Sequence, residues 1–128
     1  MENLHIEPTT SSPAIDFDAD SHIHSIIGES YPENTAEFYD SVLTWLEQYL
    51  EQIDDEAVTF NLDIPYFNSS SSKVLMDFFD MLDEAADDGK QLTVNWIYDE
   101  EDDSTLETGE EFQEDLESLT FKFVIKES

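Results

Sequence analysis

The stretch from Ala57 to Tyr98 constrains the fold more than any other. Val58, Phe60, Leu62 and Ile64 alternate with Thr59, Asn61 and Asp63, the period of a strand buried on one face. Pro65 ends that run, because proline has no N–H to give a sheet ladder. From about Ser71 to Asp88, Leu75, Phe78, Phe79, Leu82 and Ala86 recur at helical spacing, and Gly89 suits the position just past a helix C-terminus. Leu92, Val94, Trp96 and Tyr98 return to period two. A strand, a helix and a strand in this succession form a unit whose strands lie parallel with a right-handed crossover.

The rest of the chain adds to that unit. Leu4-His5-Ile6 reads as a short strand, and Ala14–Asp18 and Ile23–Ile27 read as a hairpin around Asp20-Ser21. After Pro32, Asn34 and Glu37 have the spacing of a capping box. Phe38, Val42, Trp45, Leu46, Tyr49, Leu50 and Ile53 then form a helical stripe that should stop near Asp54-Asp55. An acidic loop follows Tyr98, and a short helix is expected from about Gly109 to Leu116, with Thr108 and Glu111 as its capping pair. Leu119, Phe121, Phe123 and Ile125 make a last strand. The expectation is a single α/β domain over residues 1–128. Its mixed sheet of about six strands carries two main helices on one face and one short helix.

Charge restricts the partners. The chain has 33 acidic residues, four lysines and no arginine, for a formal net charge of −29. Nucleic acid and anionic membrane surfaces need clustered Lys and Arg, so both are excluded as partners. Self-repulsion on this scale favours a monomer and leaves basic partner surfaces or a saline setting open. Nine Phe, five Tyr and two Trp distinguish the chain from a disordered acidic tail. Without cysteine there is no disulfide, thiolate nucleophile or cysteine-based zinc site. Met1-Glu2-Asn3-Leu4-His5 has neither a positive flank nor an apolar stretch, so no signal peptide is expected. No run reaches the length of a membrane span, and a cytoplasmic protein is expected.

Between Ile64 and Met76 there is no acidic residue, the longest such interval in the chain. It contains Ser69, Ser70, Ser71, Ser72 and Lys73, where the helix must start. A helix N-terminus presents unpaired N–H groups and partial positive charge. A phosphoserine there adds nearly two negative charges and three acceptor oxygens, which that end accommodates and a carboxylate-lined surface would not. Serine is also a favoured cap and a common loop residue, so the run read alone is a helix start.

Four segments narrow this. Gly28-Glu29-Ser30-Tyr31-Pro32-Glu33-Asn34, Tyr66-Phe67-Asn68-Ser69-Ser70-Ser71, Trp96-Ile97-Tyr98-Asp99 and Thr108-Gly109-Glu110-Glu111-Phe112, in this order, resemble the SiaC-like family of bacterial regulatory phosphoproteins. The resemblance implies a fold like that of the anti-sigma-factor antagonists (STAS-like). It also implies reversible phosphorylation by a partner kinase and phosphatase. The unmodified form is expected to bind and activate a diguanylate cyclase, raising cyclic di-GMP and favouring biofilm. The family's acceptor is typically a threonine directly after the asparagine of this turn, the position of Ser69, with Ser70, Ser71 and Ser72 as alternatives. Asn68 would shape the turn, and Tyr31, Asn34, Ser70, Ser71 and Lys73 would belong to the surface that partners read.

Other constellations are weaker. His22 and His24 share a strand face, where solvent-exposed histidines are the expectation and a third metal ligand is unspecified. The spacing of Asp99, Glu101, Asp103 and Glu110 faintly follows a calcium loop, but Ser104 stands where glycine is required, so a solvated acidic loop is expected. No phosphate-cradling glycine loop or nucleophile elbow is present; neither a cofactor nor a metal is implied, and an enzyme is not expected. Two rivals remain: an anti-sigma-factor antagonist controlling transcription, and an enzyme acting on a cationic substrate in an acidic cleft. Converging carboxylates with raised pKa values would mark the second.

Overall fold

The fold is described from a computed structural model covering residues 1–126. The elements are β1 (Leu4–Ile6), β2 (Ala14–Asp18), β3 (Ile23–Ile27), α1 (Thr35–Gln52), β4 (Ala57–Asp63), α2 (Ser69–Asp87), β5 (Gln91–Tyr98), α3 (Asp103–Glu114) and β6 (Thr120–Ile125). The strands lie in one six-stranded sheet in chain order. β1, β2 and β3 pair antiparallel, and β3 through β6 pair parallel. The mixed sheet and the parallel strand–helix–strand unit read from the sequence are both present.

Sequential order with right-handed crossovers places every connecting helix on the same side of the sheet. The core reflects this. Ile15, Phe17, Ile26, Phe60, Leu62, Val94, Trp96 and Phe121 turn one way and are buried. Each helix lays aromatic rings on them: Trp45 of α1 is 5.1 Å from Phe17, Phe78 of α2 is 5.6 Å from Phe60, and Phe112 of α3 is 5.6 Å from Trp96 (ring centroids). Among the described residues no helix covers the other sheet face. It carries a polar row in register, Asp16, Ser25, Asn61, Asn95 and Lys122, in which Asn95 Nδ2 donates to Asn61 Oδ1 at 2.8 Å.

Three expectations are corrected. α2 begins at Ser69 rather than Ser71, because Asn68 is its cap. α3 spans Asp103–Glu114, not 109–116, so most of the supposed acidic loop is helix. Its cap is Asp102, whose carboxylate accepts the Thr105 N–H at 3.1 Å, while Thr108 lies mid-helix and donates back to the Ser104 carbonyl oxygen at 2.9 Å. His24, expected at the surface, is fully buried; it shares the inward face of β3 with Ile26, leaving Ile23 and Ile27 outside.

Candidate functional site

The C-terminal edge of parallel strands is where open α/β sheets present their sites. Here β4 reaches that edge at Asp63, Ile64 is buried, Pro65 stops the ladder, and three residues later, at Asn68, the chain turns into α2. Asn68 makes the turn. Its backbone is extended (φ −85°, ψ 176°), its Oδ1 accepts the Ser71 N–H at 2.9 Å, and its carbonyl accepts the Ser72 N–H at 2.9 Å. Ser69 is the first helical residue. Asparagine is among the best caps because its short side chain reaches the first-turn N–H groups.

The four serines have different surroundings. Ser69 and Ser70 are exposed, Ser72 is half-buried, and Ser71 is fully buried. The placement of Ser71 on a partner-facing surface is thereby corrected: its hydroxyl points inward, where it accepts a hydrogen bond from Ser30 Oγ at 2.8 Å. Lys73 is exposed four residues after Ser69, one turn on along the same helix face. The first turn of α2 holds no acidic residue. An anion on Ser69 would therefore meet the positive end of a helix and a lysine one turn away.

The segment from Gly28 to Asn34 lies beside this turn. Gly28 has φ +126°, which an L side chain rarely adopts, and donates its N–H to the Asp63 carbonyl at 2.9 Å. Ser30 then forms a parallel bridge with Phe67: its N–H donates to the Tyr66 carbonyl at 2.8 Å, and its carbonyl accepts the Asn68 N–H at 3.1 Å. Tyr31 is half-buried, with its ring edge-on to exposed Tyr66 at 5.7 Å. Asn34 is spent on α1, accepting the Glu37 N–H and donating to the Glu37 carboxylate, each at 3.1 Å. Tyr31, Asn68, Ser69 and Ser70 thus come together, while Ser71 faces inward and Asn34 caps another helix.

Two residues that sequence reasoning did not single out complete the turn. Ser30 is fully buried, and its Oγ meets Tyr39 OH of α1 at 2.5 Å as well as Ser71. Burial pushes the Tyr39 phenol up, opposed by the Ser30 bond, so it stays a neutral donor. No spacing signal marks either residue. Ser30 is a small polar residue in a turn, and Tyr39 falls outside the helical stripe that starts at Phe38.

A cleft of about 190 Å³ lies along the same sheet edge, lined by Asp63, Tyr98, Asp99, Asp102, Thr105 and Lys126 among others. Its acids are locally engaged. Asp63 pairs with Lys126 at 2.9 Å, Asp99 accepts the Glu101 N–H at 2.9 Å, and Asp102 caps α3. Bonds from the Thr105 hydroxyl and backbone hold Asp102 below its ordinary value. That is the opposite of the raised pKa an acid–base enzyme would need.

The fold and the turn define a class: a small α/β domain of the STAS-like type, with one helical layer and an exposed serine opening a helix at the sheet's C-terminal edge. The SiaC family profile, described as SiaC family regulatory phosphoprotein, matches residues 6–126, and the chain belongs to that family. An uncharacterised protein of Pseudomonas aeruginosa (strain UCBPP-PA14) is 37% identical over 126 residues, covering 98% of this chain and 97% of that protein. The crystal structure of apo-SiaC from Pseudomonas aeruginosa superimposes with a TM-score of 0.87 at 37% identity, covering 99% of this chain and 100% of that one. In the crystal structure of the diguanylate cyclase SiaD with its activator SiaC, from the same species, the match has a TM-score of 0.90 at 36% identity, covering 96% of this chain and 99% of that one. Among the described residues no helix is long and apolar enough to cross a membrane.

Proposed function

We propose that this chain is a phosphorylation-controlled adaptor of the cytoplasm that, unmodified, binds and activates a diguanylate cyclase. A partner kinase and phosphatase set its state, and the chain itself carries out no catalysis. The observation that carries this is Ser69: an exposed hydroxyl at the first position of α2, in a first turn free of acids, within a family of regulatory phosphoproteins. The relative named above is the activator of a cyclase, which supports the choice of target. In the modifying step the Ser69 hydroxyl takes a phosphoryl group from a nucleoside triphosphate held by the kinase and gives up its proton, and nucleoside diphosphate leaves. The added charge, held at the helix end, changes a neutral surface into an anionic one and displaces the cyclase.

The test combines mass-spectrometric mapping of protein recovered from its native host with cyclase activity measured alongside purified protein. Phosphate on Ser69, activation by wild type and Ser69→Ala, and loss of activation by Ser69→Glu are expected. Phosphate outside 69–72, or co-purification of an anti-sigma factor in place of a cyclase, would overturn the reading.

A further inference from the structure

We infer that Ser30 is the positioning residue of the acceptor turn, and that the buried chain Tyr39–Ser30–Ser71 determines which serine of the run is offered for phosphorylation. This rests on the functional reading of Ser69 above and adds what selects that hydroxyl from four.

Ser30 uses every hydrogen-bonding group it has on this turn. Its N–H and C=O hold Tyr66 and Asn68, two residues that bracket Phe67 just before the acceptor. Its side chain holds Ser71, two residues after the acceptor. The direction of the chain follows from proton count. Ser30 has one hydroxyl hydrogen, and it goes to Ser71 Oγ. The 2.5 Å contact with Tyr39 must then run from the phenol to Ser30 Oγ. Tyr39 O–H donates to Ser30, Ser30 O–H donates to Ser71, and α1, the 28–34 segment and the start of α2 are joined by three hydroxyls that water does not reach.

This fixes the rotation of the first turn. Successive helical residues are about 100° apart. With Ser71 turned inward, Ser69 and Ser70 face outward and Ser72 lies between. Of the two exposed serines Ser69 holds the first helical position, and Lys73 is one turn along its face. The buried stripe beginning at Leu75 sets the phase of α2 further along, but if the inward bond is released the first turn loses the side-chain tie on Ser71 and can fray to present its other hydroxyls. Buried polar networks are suited to this role because a half-satisfied one is costly, so a single arrangement is favoured.

The experiment compares wild type with Tyr39→Phe, which keeps the ring, and with Ser30→Ala, which keeps both backbone bonds. Amide hydrogen exchange is followed at 66–72 and, as an internal reference, in β4. Phosphate distribution over Ser69–Ser72 is mapped on the same proteins recovered from the native host. Exchange at Ser71 and Ser72 should accelerate about tenfold relative to β4, as expected when a buried hydrogen bond holding a local segment is lost. Phosphate should spread from Ser69 to its neighbours. Unchanged relative exchange, or a single acceptor at Ser69 with only a lower melting temperature, would overturn the clamp. Wild-type protein carrying no phosphate in the run would overturn the functional reading instead, and the exchange comparison would still judge the clamp.

Discussion

The indole of Trp96 lies so close to Gly109 that a Cβ added there would fall 2.5 Å from Trp96 Cδ1 and 2.6 Å from Nε1. The ring is held in place. It is 1% exposed, and its Nε1–H donates to the Thr105 carbonyl at 2.9 Å, one turn earlier on α3. Gly109→Ala therefore sets two effects against each other. Alanine gains roughly 1 kcal/mol of helix propensity over glycine. Overpacking a fixed ring costs about 1–3 kcal/mol. Phe123 Cε1, 2.9 Å from the same added carbon, closes the other way out, so the clash prevails. Thermal unfolding should show a melting temperature several degrees below wild type. A higher one would mean that α3 can slide off Trp96.

The same glycine shows where sequence reasoning lost its hold. Thr108 and Glu111 have the spacing of a capping box, which puts a helix start at Gly109. Here it is a packing glycine, and a contact with Trp96 leaves no mark on local pattern. α3 is hard to read for a further reason: of its buried residues Thr105, Gly109 and Phe112, only one is large and apolar. β4, α2 and β5 were legible because alternation and stripe are strong and Pro65 and Gly89 punctuate them. At the candidate site the acid-free serine run was legible as a helix start, set two residues late, and the choice of Ser69 within it rested on the family resemblance. Ser30 was not legible, since its burial depends on Tyr39 and Ser71, which are brought to it by α1 and α2.

Asp83 of α2 gathers three successive backbone N–H groups beyond α3, from Glu117 at 3.1 Å and from Ser118 and Leu119 at 2.8 Å. Partial burial pushes its carboxyl up, but the bonds from Leu119, Ser118 and Glu117 together outweigh that and hold it below its ordinary value of 3.8. A folded value below the unfolded one means that the contribution is complete above pH 3.8 and is lost as pH falls through the folded value. Asp83→Ala leaves three donors to water and should cost about 1–2 kcal/mol at pH 7. Asp83→Asn keeps an acceptor without the charge, so its urea-unfolding free energy should fall less steeply than that of wild type below pH 4. Parallel curves for the two proteins would refute the role given to the carboxylate.

His24 supplies a second pH dependence. Its Nδ1 accepts the Asp18 N–H at 3.0 Å, which puts the ring proton on Nε2, a buried atom without a hydrogen-bond partner among the described residues. Tyr49 and Phe60 crowd the ring, each with its centroid 4.8 Å away. Burial above all, with nearby His22, lowers its pKa from 6.5 to about 4, against a smaller opposing pull from Asp18. The unfolded chain takes up this proton near pH 6.5 and the folded chain only near pH 4, so stability falls as pH drops through that interval. The loss reaches about 3 kcal/mol at the lower end. His24→Phe gives up the Asp18 bond at every pH but removes the titration. The difference in unfolding free energy between wild type and variant should therefore shrink or reverse from pH 7 to pH 4. A constant difference would show that His24 does not titrate in this range.

Salt should stabilise the fold through screening. The chain carries a formal net charge of −29, and among the described residues lysine pairs with a carboxylate only at Lys126–Asp63, 2.9 Å apart and half exposed. The helix ends add to the repulsion: none of the three has a basic residue in its last turn, although cations are favoured there. Magnitudes identify the conditions that matter. At 0.01 M salt the screening length is about 30 Å, against a radius of gyration of about 14 Å for a domain of this size, so every carboxylate feels the others. At 1 M it is about 3 Å, and distant pairs no longer interact. The melting temperature should rise by several degrees from 0.01 M to 1 M sodium chloride, equally with potassium chloride, and most of the rise should come below about 0.15 M, where the screening length has already fallen to about 8 Å. A rise that saturates at millimolar divalent cation and does not continue with monovalent salt would replace screening with occupation of a defined site.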